Sequence, residues 1–287
     1  MSDNLRGALL MALAMAGFAL EDMFIKLLAG ALPVGQILLV LGIGGAATFG
    51  FMAHRRGQQV LSSALLTPAL LVRNISELIG SLGFVLGFIL ASLATASAIL
   101  QAAPLFVTLG AVLFLGEKVG WRRWSAILLG FLGVLLIIRP GMAEFEPASL
   151  FAVVGVIGLA GRDLATRAVP RTISSYQISS WAFATLVPGG ICLMIVMNQP
   201  PVLPDVAQAA ALGAALLIGI LAYYAIVAAM RVGELSFVTP FRYTRMLWAL
   251  LVAILVFGER PDALTLLGAT IIVGAGIFTL WRETKAA

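Results

Sequence analysis

The sequence predicts an all-α integral membrane protein. Ten transmembrane helices form two five-helix halves of inverted topology, with both termini in the cytoplasm. Three observations predict this. First, the 287-residue chain is 61% hydrophobic and 11% charged, whereas soluble domains are about 45–50% apolar and about 25% charged. So few charges cannot clothe a soluble surface, and part of the surface must face lipid. Second, LFLGEK at residues 113–118 is echoed by LVFGER at residues 255–260. Their glycines are 142 positions apart (258 − 116), almost half the chain. Third, the basic residues of the loops are distributed very unevenly between alternate connections.

An apolar run of about 20 residues spans the roughly 30 Å hydrocarbon core as a helix. In the first half such runs fall at about 5–29, 34–53, 67–91, 93–115 and 124–138. In the second half they fall at about 148–168, 176–197, 207–230, 235–258 and 263–281. The first run begins like a signal peptide, with Arg6 ahead of small apolar residues. It continues through FALEDMFIKLL, however, and is read as an uncleaved helix. Breakers such as Leu32-Pro33, Arg139-Pro140-Gly141 and Asn198-Gln199-Pro200-Pro201 mark the turns. No linker is long enough for a separate soluble domain. The chain reads as one membrane domain, 1–287, with repeats of about 1–142 and 143–287.

With the N-terminus inside, eleven basic residues lie in inner loops: Arg6, Arg55, Arg56, Lys118, Arg122, Arg123, Arg167, Arg171, Arg231, Arg282 and Lys285. Two, Arg139 and Arg260, lie outside. Such a positive-inside bias sets orientation. Five spans is an odd number, so the second half enters from the opposite face, as in many secondary transporters. A second echo agrees: Asp22 and Lys26 recur as Asp163 and Arg167, both at an offset of 141 (163 − 22 and 167 − 26), and Glu21 is matched by Arg162. Asp four residues ahead of a basic residue is a favourable helical pairing.

Composition also excludes chemistry. There is one cysteine, Cys192, so no intramolecular disulfide is possible, and one cysteine with one histidine, His54, cannot form a Cys/His metal centre. No nucleophile–base pair stands at membrane depth. An enzyme, a cofactor and a metal are therefore not expected. The net charge of +5 comes without a basic, aromatic-interleaved cluster, so nucleic acid is not expected as a partner.

The paired Gly-Glu-basic motifs, the ten short spans and the 5+5 duplication together resemble the drug/metabolite transporter superfamily in its EamA-type branch. The likeness is strongest in PLFVTLGAVLFLGEK (104–118) and in PFRYTRMLWALLVAILVFGERPD (240–262). The latter also looks like a bacterial subgroup labelled S-adenosylmethionine-uptake-like. The resemblance implies a ten-helix basket, with spans one, three, four, six, eight and nine lining a central cavity. It also implies secondary transport of small metabolites, often amino acid export. Two arginines in the ninth span depart from the mostly small and apolar residues of many relatives.

Nine charged residues fall within the spans: Glu21, Asp22, Lys26, Arg73, Glu77, Arg162, Asp163, Arg242 and Arg245. Each costs roughly 2.5–3.5 kcal/mol at mid-bilayer on insertion scales. Unpaired, the set would cost on the order of 20 kcal/mol, as much as a domain's whole stability. They must pair, snorkel or face a watery cavity. Arg242 and Arg245 are three apart, share a helix face and need something negative between them. Glu77, Asp163 and a substrate carboxylate all qualify, and a permanent interhelical ion pair is the structural alternative. Arg73 and Glu77 can pair within one helix, and Glu77 is also the deepest candidate for a proton relay. Gln101, Tyr243 and Trp248 complete the candidate substrate site, and helix packing is the alternative role for the two aromatics. Gly80, Gly83 and Gly87 mark one close-packed face, and Gly155, Gly158 and Gly161 another. Pro104 and Pro240 do not align in the repeat, so any bends should differ between halves. The Gly-Glu-basic ends are expected to be structural, satisfying loop backbone groups of the next element.

The expected function is alternating-access transport of a small amino-acid-like or carboxylate-bearing metabolite across a bacterial inner membrane. Export follows from the resemblance alone. The alternatives are uptake of S-adenosylmethionine or a similar zwitterionic, nucleoside-like metabolite and, from other classes, a membrane-embedded enzyme or a scaffold. The expected partners are a small-molecule substrate and lipid. Spans five and ten carry few polar groups and are open to lipid or to a second copy in a homodimer.

Overall fold

In hydrocarbon every backbone N–H and C=O must be satisfied within the protein, which leaves the helix as the default for each apolar run. In the computed structural model the described residues are 3–116, 120–143, 145–170, 172–232 and 238–286. The first half contains α1 (Asp3–Leu28), α2 (Val34–His54), α3 (Pro68–Leu90), α4 (Leu93–Leu100), α5 (Ala103–Leu115) and α6 (Trp121–Ile138). The second half contains α7 (Ser149–Thr166), α8 (Ser175–Val196), α9 (Val206–Val232), a 3-10 segment (Thr239–Tyr243), α10 (Thr244–Leu255) and α11 (Ala263–Ala286). Helices α4 and α5 together make the fourth span. The 3-10 segment and α10 make the ninth.

Among the described residues, seven helical stretches are long and apolar enough to cross a membrane, counting α4 with α5 as one. Two shorter apolar helices, Trp124–Ile138 and Ala263–Phe278, lie within α6 and α11. The ninth span is broken and carries both Arg242 and Arg245, so it lacks the apolar signature of the others.

Local chemistry fixes the ends. Ser92 caps α4 by accepting from the Thr95 amide, and Ser174 and Gln177 form a reciprocal capping box at α8. Gly116 closes α5 at φ 67°, a left-handed turn that suits glycine. Asp262 accepts the Thr265 amide at the start of α11 and also pairs with Arg139, which ends α6.

The packing obeys the repeat. Exchanging the halves turns the extensive α3/α7 contact into α1/α9, which is equally intimate. The α2/α8 and α6/α11 contacts map onto themselves and therefore lie along a pseudo-two-fold axis. Five crossings per half is an odd number, so the halves are inverted. The two glycine faces meet each other. A Cβ on Gly83 would stand 2.6 Å from the Gly155 nitrogen, and one on Gly87 2.8 Å from the Ala152 nitrogen. Only glycine allows backbones this close. Outward faces are apolar and exposed, as at Leu128, Leu132 and Leu135 of α6 and Leu264 and Leu267 of α11. The core is built on Ile37, Leu41, Phe88, Ile99 and Leu105.

One expectation is corrected. The fourth span breaks at Gln101–Ala102 and the ninth turns from 3-10 to α-helix at Tyr243–Thr244. These are equivalent positions (243 − 101 = 142). Pro104 stands in the first turn of α5, just after its break, whereas Pro240 stands in the first turn of the 3-10 segment, ahead of its break, so two unaligned prolines accompany interruptions at equivalent positions.

Candidate functional site

The membrane-embedded charges resolve into three bonded groups and two side chains left over. The first group joins α3 to α7. The Arg73 side chain, 2% exposed, donates to Glu77 Oε2 at 2.9 Å and to Asn74 Oδ1 at 3.0 Å. Arg162 donates to Glu77 Oε1 at 3.2 Å and meets Asp163 Oδ1 at 2.7 Å. Two arginines and two acids alternate, and the group is neutral. The Arg73–Glu77 pairing uses the i,i+4 spacing seen in the sequence.

The second group joins α1 to α10. Arg245 Nη2 meets Asp22 Oδ2 at 2.7 Å. Its guanidinium lies over two rings, Phe18 and Phe84, with centroids at 5.3 and 5.2 Å. Asp22 therefore does not pair with Lys26, and Asp163 takes Arg162 rather than the expected Arg167.

The third group lies at the membrane edge. Lys26 Nζ donates to Glu259 Oε1 at 2.6 Å, and Glu259 also accepts the amides of Leu93 and Ala94 at 3.0 Å each. A carboxylate on a helix N-terminus satisfies otherwise unpaired amides and suits the helix dipole. Glu259 thus ties α1, the start of α4 and the end of the ninth span together. Partial burial pushes its carboxyl up, but the hydrogen bonds from Lys26, Ala94 and Leu93 outweigh this and hold it below the usual carboxylate range. Its partners are in the first half, not in the next element as the sequence suggested. The matching residues Glu117 and Lys118 lie outside the described residues.

Two charges remain. Among the described residues, neither Glu21 nor Arg242 makes a hydrogen bond or ion pair. Glu21 sits beside Asp22 and Arg245 in the field of both, with its carboxyl lodged against Gly219 of α9. Arg242 lies within electrostatic reach of Asp163. Both are partly buried.

The neutral candidates divide. Gln101 stands at the break between α4 and α5 with its amide nitrogen buried and unpaired, one turn from the equally unpaired Ser97 hydroxyl. Tyr243 is buried with its hydroxyl unpaired against Gly276 of α11. Trp248, 40% exposed, departs from the expected shared face with Arg245. It lines an outer apolar groove of about 250 Å³ with Ala16, Leu20, Leu251 and Leu255. A polar pocket of about 470 Å³ lies elsewhere, between Arg56 and Gln58 after α2 and residues 172–176 at the start of α8. The sequence reading missed Phe18, Phe84, Gly219 and the reach of Glu259 to α4. Gly219 was findable, because it stands 142 residues after Glu77 (219 − 77), where the repeat calls for an acid.

Among known proteins, the chain is 28% identical to the S-adenosylmethionine uptake transporter of Rickettsia bellii, over 75% of this chain and 73% of that one. It is 34% identical to the riboflavin transporter of Vibrio cholerae, over 66% of this chain and 62% of that one. It is 28% identical to the pseudopaline exporter CntI of Pseudomonas aeruginosa, over 94% of each. A solved crystal structure at 19% identity covers 99% of both chains with a TM-score of 0.58, a likeness of fold. The profile described as the EamA-like transporter family matches residues 5–139 and 147–281, one match per half. With two matched repeats, an inverted helical frame and charges gathered inside it, this chain belongs to the EamA-like transporter family: it is a multi-pass membrane transporter, not an enzyme.

Proposed function

We propose that this protein is a secondary transporter that moves a small amino-acid-like or carboxylate-bearing metabolite across the bacterial inner membrane by alternating access, in the direction of export. The observation that carries this reading is Arg242, a membrane-embedded guanidinium with no hydrogen bond or ion pair among the described residues. A planar guanidinium can hold a carboxylate through two hydrogen bonds. Arg245, Asp22, Arg73, Glu77, Arg162 and Asp163 bound the site, with Glu21 beside them and Gln101 and Tyr243 at the helix breaks. The two halves rock about the α2/α8 and α6/α11 contacts. The Lys26–Glu259 and Arg139–Asp262 bridges latch one face. The eleven-to-two loop charge count supports cytoplasmic termini and places this latch on the outer face. The apolar outer faces of α6 and α11 are offered to lipid or to a second copy in a homodimer, and no nucleic acid takes part.

Counterflow of a carboxylate-bearing metabolite in proteoliposomes tests the reading. Arg242→Leu should abolish it while the protein still folds and inserts. Wild-type rates in that variant would remove Arg242 as the anchor.

Similarity to the rickettsial uptake transporter supports a second reading, uptake of S-adenosylmethionine or a related zwitterion. Glu21, an acid with no hydrogen bond or ion pair among the described residues, suits a cationic centre of this kind. Radiolabelled S-adenosylmethionine competed by unlabelled amino acids separates the two: strong competition favours the first reading.

A further inference from the structure

Repeat symmetry makes the isolation of Glu21 specific. Helices α1 and α7 correspond at an offset of 141, and α3 and α9 at 142. The contact of Gly158 with Gly80 therefore has its mate in the contact of Gly17 with Ala222 (158 − 17 = 141; 222 − 80 = 142), and both are close. The same relation carries Arg162 onto Glu21 and Glu77 onto Gly219 (162 − 21 = 141; 219 − 77 = 142). One copy of this interface holds a part-buried ion pair, Glu77–Arg162. The other presents a carboxylate to a residue with no side chain. A Cβ on Gly219 would stand 2.7 Å from Glu21 Cδ, so the glycine is what gives the carboxyl its place.

The second leftover, Arg242, lies in the 3-10 segment, which packs directly on α1. Three residues on, Arg245 bridges to Asp22, the neighbour of Glu21. Glu21 thus adjoins one member of this ion pair in the chain and Arg242 stands one turn before the other, and the two side chains carry opposite charge and are both partly accessible. Asp163, the acid within electrostatic reach of Arg242, is already bridged to Arg162, and Arg245 to Asp22, so Arg242 still lacks a bonded anion and Glu21 a bonded cation. A proton on Glu21 would settle its charge but not that of Arg242. A molecule bearing both charges settles both.

We infer that Glu21, lodged against Gly219, receives a cationic group of the substrate while Arg242 receives its carboxylate, making a two-point site for a zwitterion. This rests on the transport reading above and narrows its substrate class.

The test uses full-length purified protein and sets of three probes: an L-amino acid, the amine lacking its carboxylate and the acid lacking its amino group. S-adenosylmethionine and riboflavin are run alongside. Binding is read by thermal shift and transport by counterflow, since a bound ligand stabilises the folded carrier by mass action. Wild type should bind the zwitterion about tenfold or more tightly than either fragment, as loss of a charge-assisted hydrogen bond implies. Glu21→Gln should lower the zwitterion to the level of the acid and leave the acid unchanged. Arg242→Gln should lower it to the level of the amine. Gly219→Ala, which keeps every charge but displaces the carboxyl, should weaken the zwitterion and spare the acid. Unchanged zwitterion affinity in Glu21→Gln, with loss in Arg242→Gln, would overturn the two-point site and leave the carboxylate reading standing. A wild-type response to riboflavin or to amines alone, or no response to any carboxylate, would overturn the carboxylate-substrate reading itself and the two-point site with it.

Discussion

The α3/α7 and α1/α9 interfaces are one contact built twice, and they are furnished in opposite ways. Both bring backbones together through small residues, Gly80 with Gly158 in one and Gly17 with Ala222 in the other. The first then fills its polar level with the Arg73–Glu77–Arg162–Asp163 chain. The second leaves Glu21 facing Gly219 and sends Asp22 to Arg245 on a different helix. The small residues that set helix separation are kept in both copies because the frame needs them twice. The charges are not kept, because a closed ion pair binds nothing. In this reading one interface holds the basket together and its mate, relieved of that duty, is open to a ligand.

The largest way to break this comparison is at Glu77. Glu77→Leu leaves Arg73, 2% exposed, and Arg162 facing each other with no acid between them. Removing one partner of a buried ion pair costs about 3–5 kcal/mol. Thermal unfolding in detergent should show a loss of that order. A loss near zero would mean that the network is solvated and that the two interfaces do not differ in kind.

Next is the glycine seam. Gly83→Val places a side chain 2.6 Å from the Gly155 nitrogen, on backbone that cannot step aside. Overpacking of this sort costs about 1–3 kcal/mol. The same change at Gly274, whose added Cβ would meet nothing within 4 Å, should cost less than about 1 kcal/mol in the same assay.

The latch gives a pH-dependent prediction. Asp262 is held at about 2, first by the Arg139 hydrogen bond and then by the Thr265 amide, and Glu259 is also held below its ordinary 4.5. Both folded values are depressed, so their stabilisation is complete above the unfolded pKa and is lost as pH falls through the folded one. For Asp262 that window runs from its ordinary 3.8 down to about 2. Stability should be flat from neutral pH to about 5 and then fall. Glu259→Gln should flatten part of the fall and, through the lost cap on α4, lower stability by about 1 kcal/mol at neutral pH. An unchanged acid profile would remove the latch from the account.

Much of this was legible in sequence. The 142-residue echo and the apolar runs located the halves and the ten spans, because hydrophobicity and helix length are local properties. Partners were less legible. Asp22 and Lys26 have the spacing of a helical pair, yet each finds a better partner more than 200 residues away, Arg245 and Glu259. Membrane charges choose partners by depth, which spacing along one helix does not encode. Trp248 was misplaced for another reason. Arg245 and Trp248 both lie in α10, where three residues leave about 60° between side chains, and Arg245 meets Phe18 and Asp22 while Trp248 lies with Ala16 and Leu20 in the outer groove.

The smallest expected effect is the most discriminating. Glu21→Gln removes a charge that has no partner among the described residues, so it should leave stability within about 0.5 kcal/mol of wild type or raise it slightly. Asp22→Asn, one residue away, breaks the bridge to Arg245 and should destabilise. Thermal unfolding of the two single variants, with the double variant to measure coupling, checks this. If Glu21→Gln destabilised the protein as much as Asp22→Asn, then Glu21 would be a working part of the α1/α9 frame. The contrast with α3/α7 would then shrink to a difference in which acid carries the load. If it does not, the carboxyl against Gly219 contributes nothing to the resting fold, and what it does must be sought in the presence of substrate.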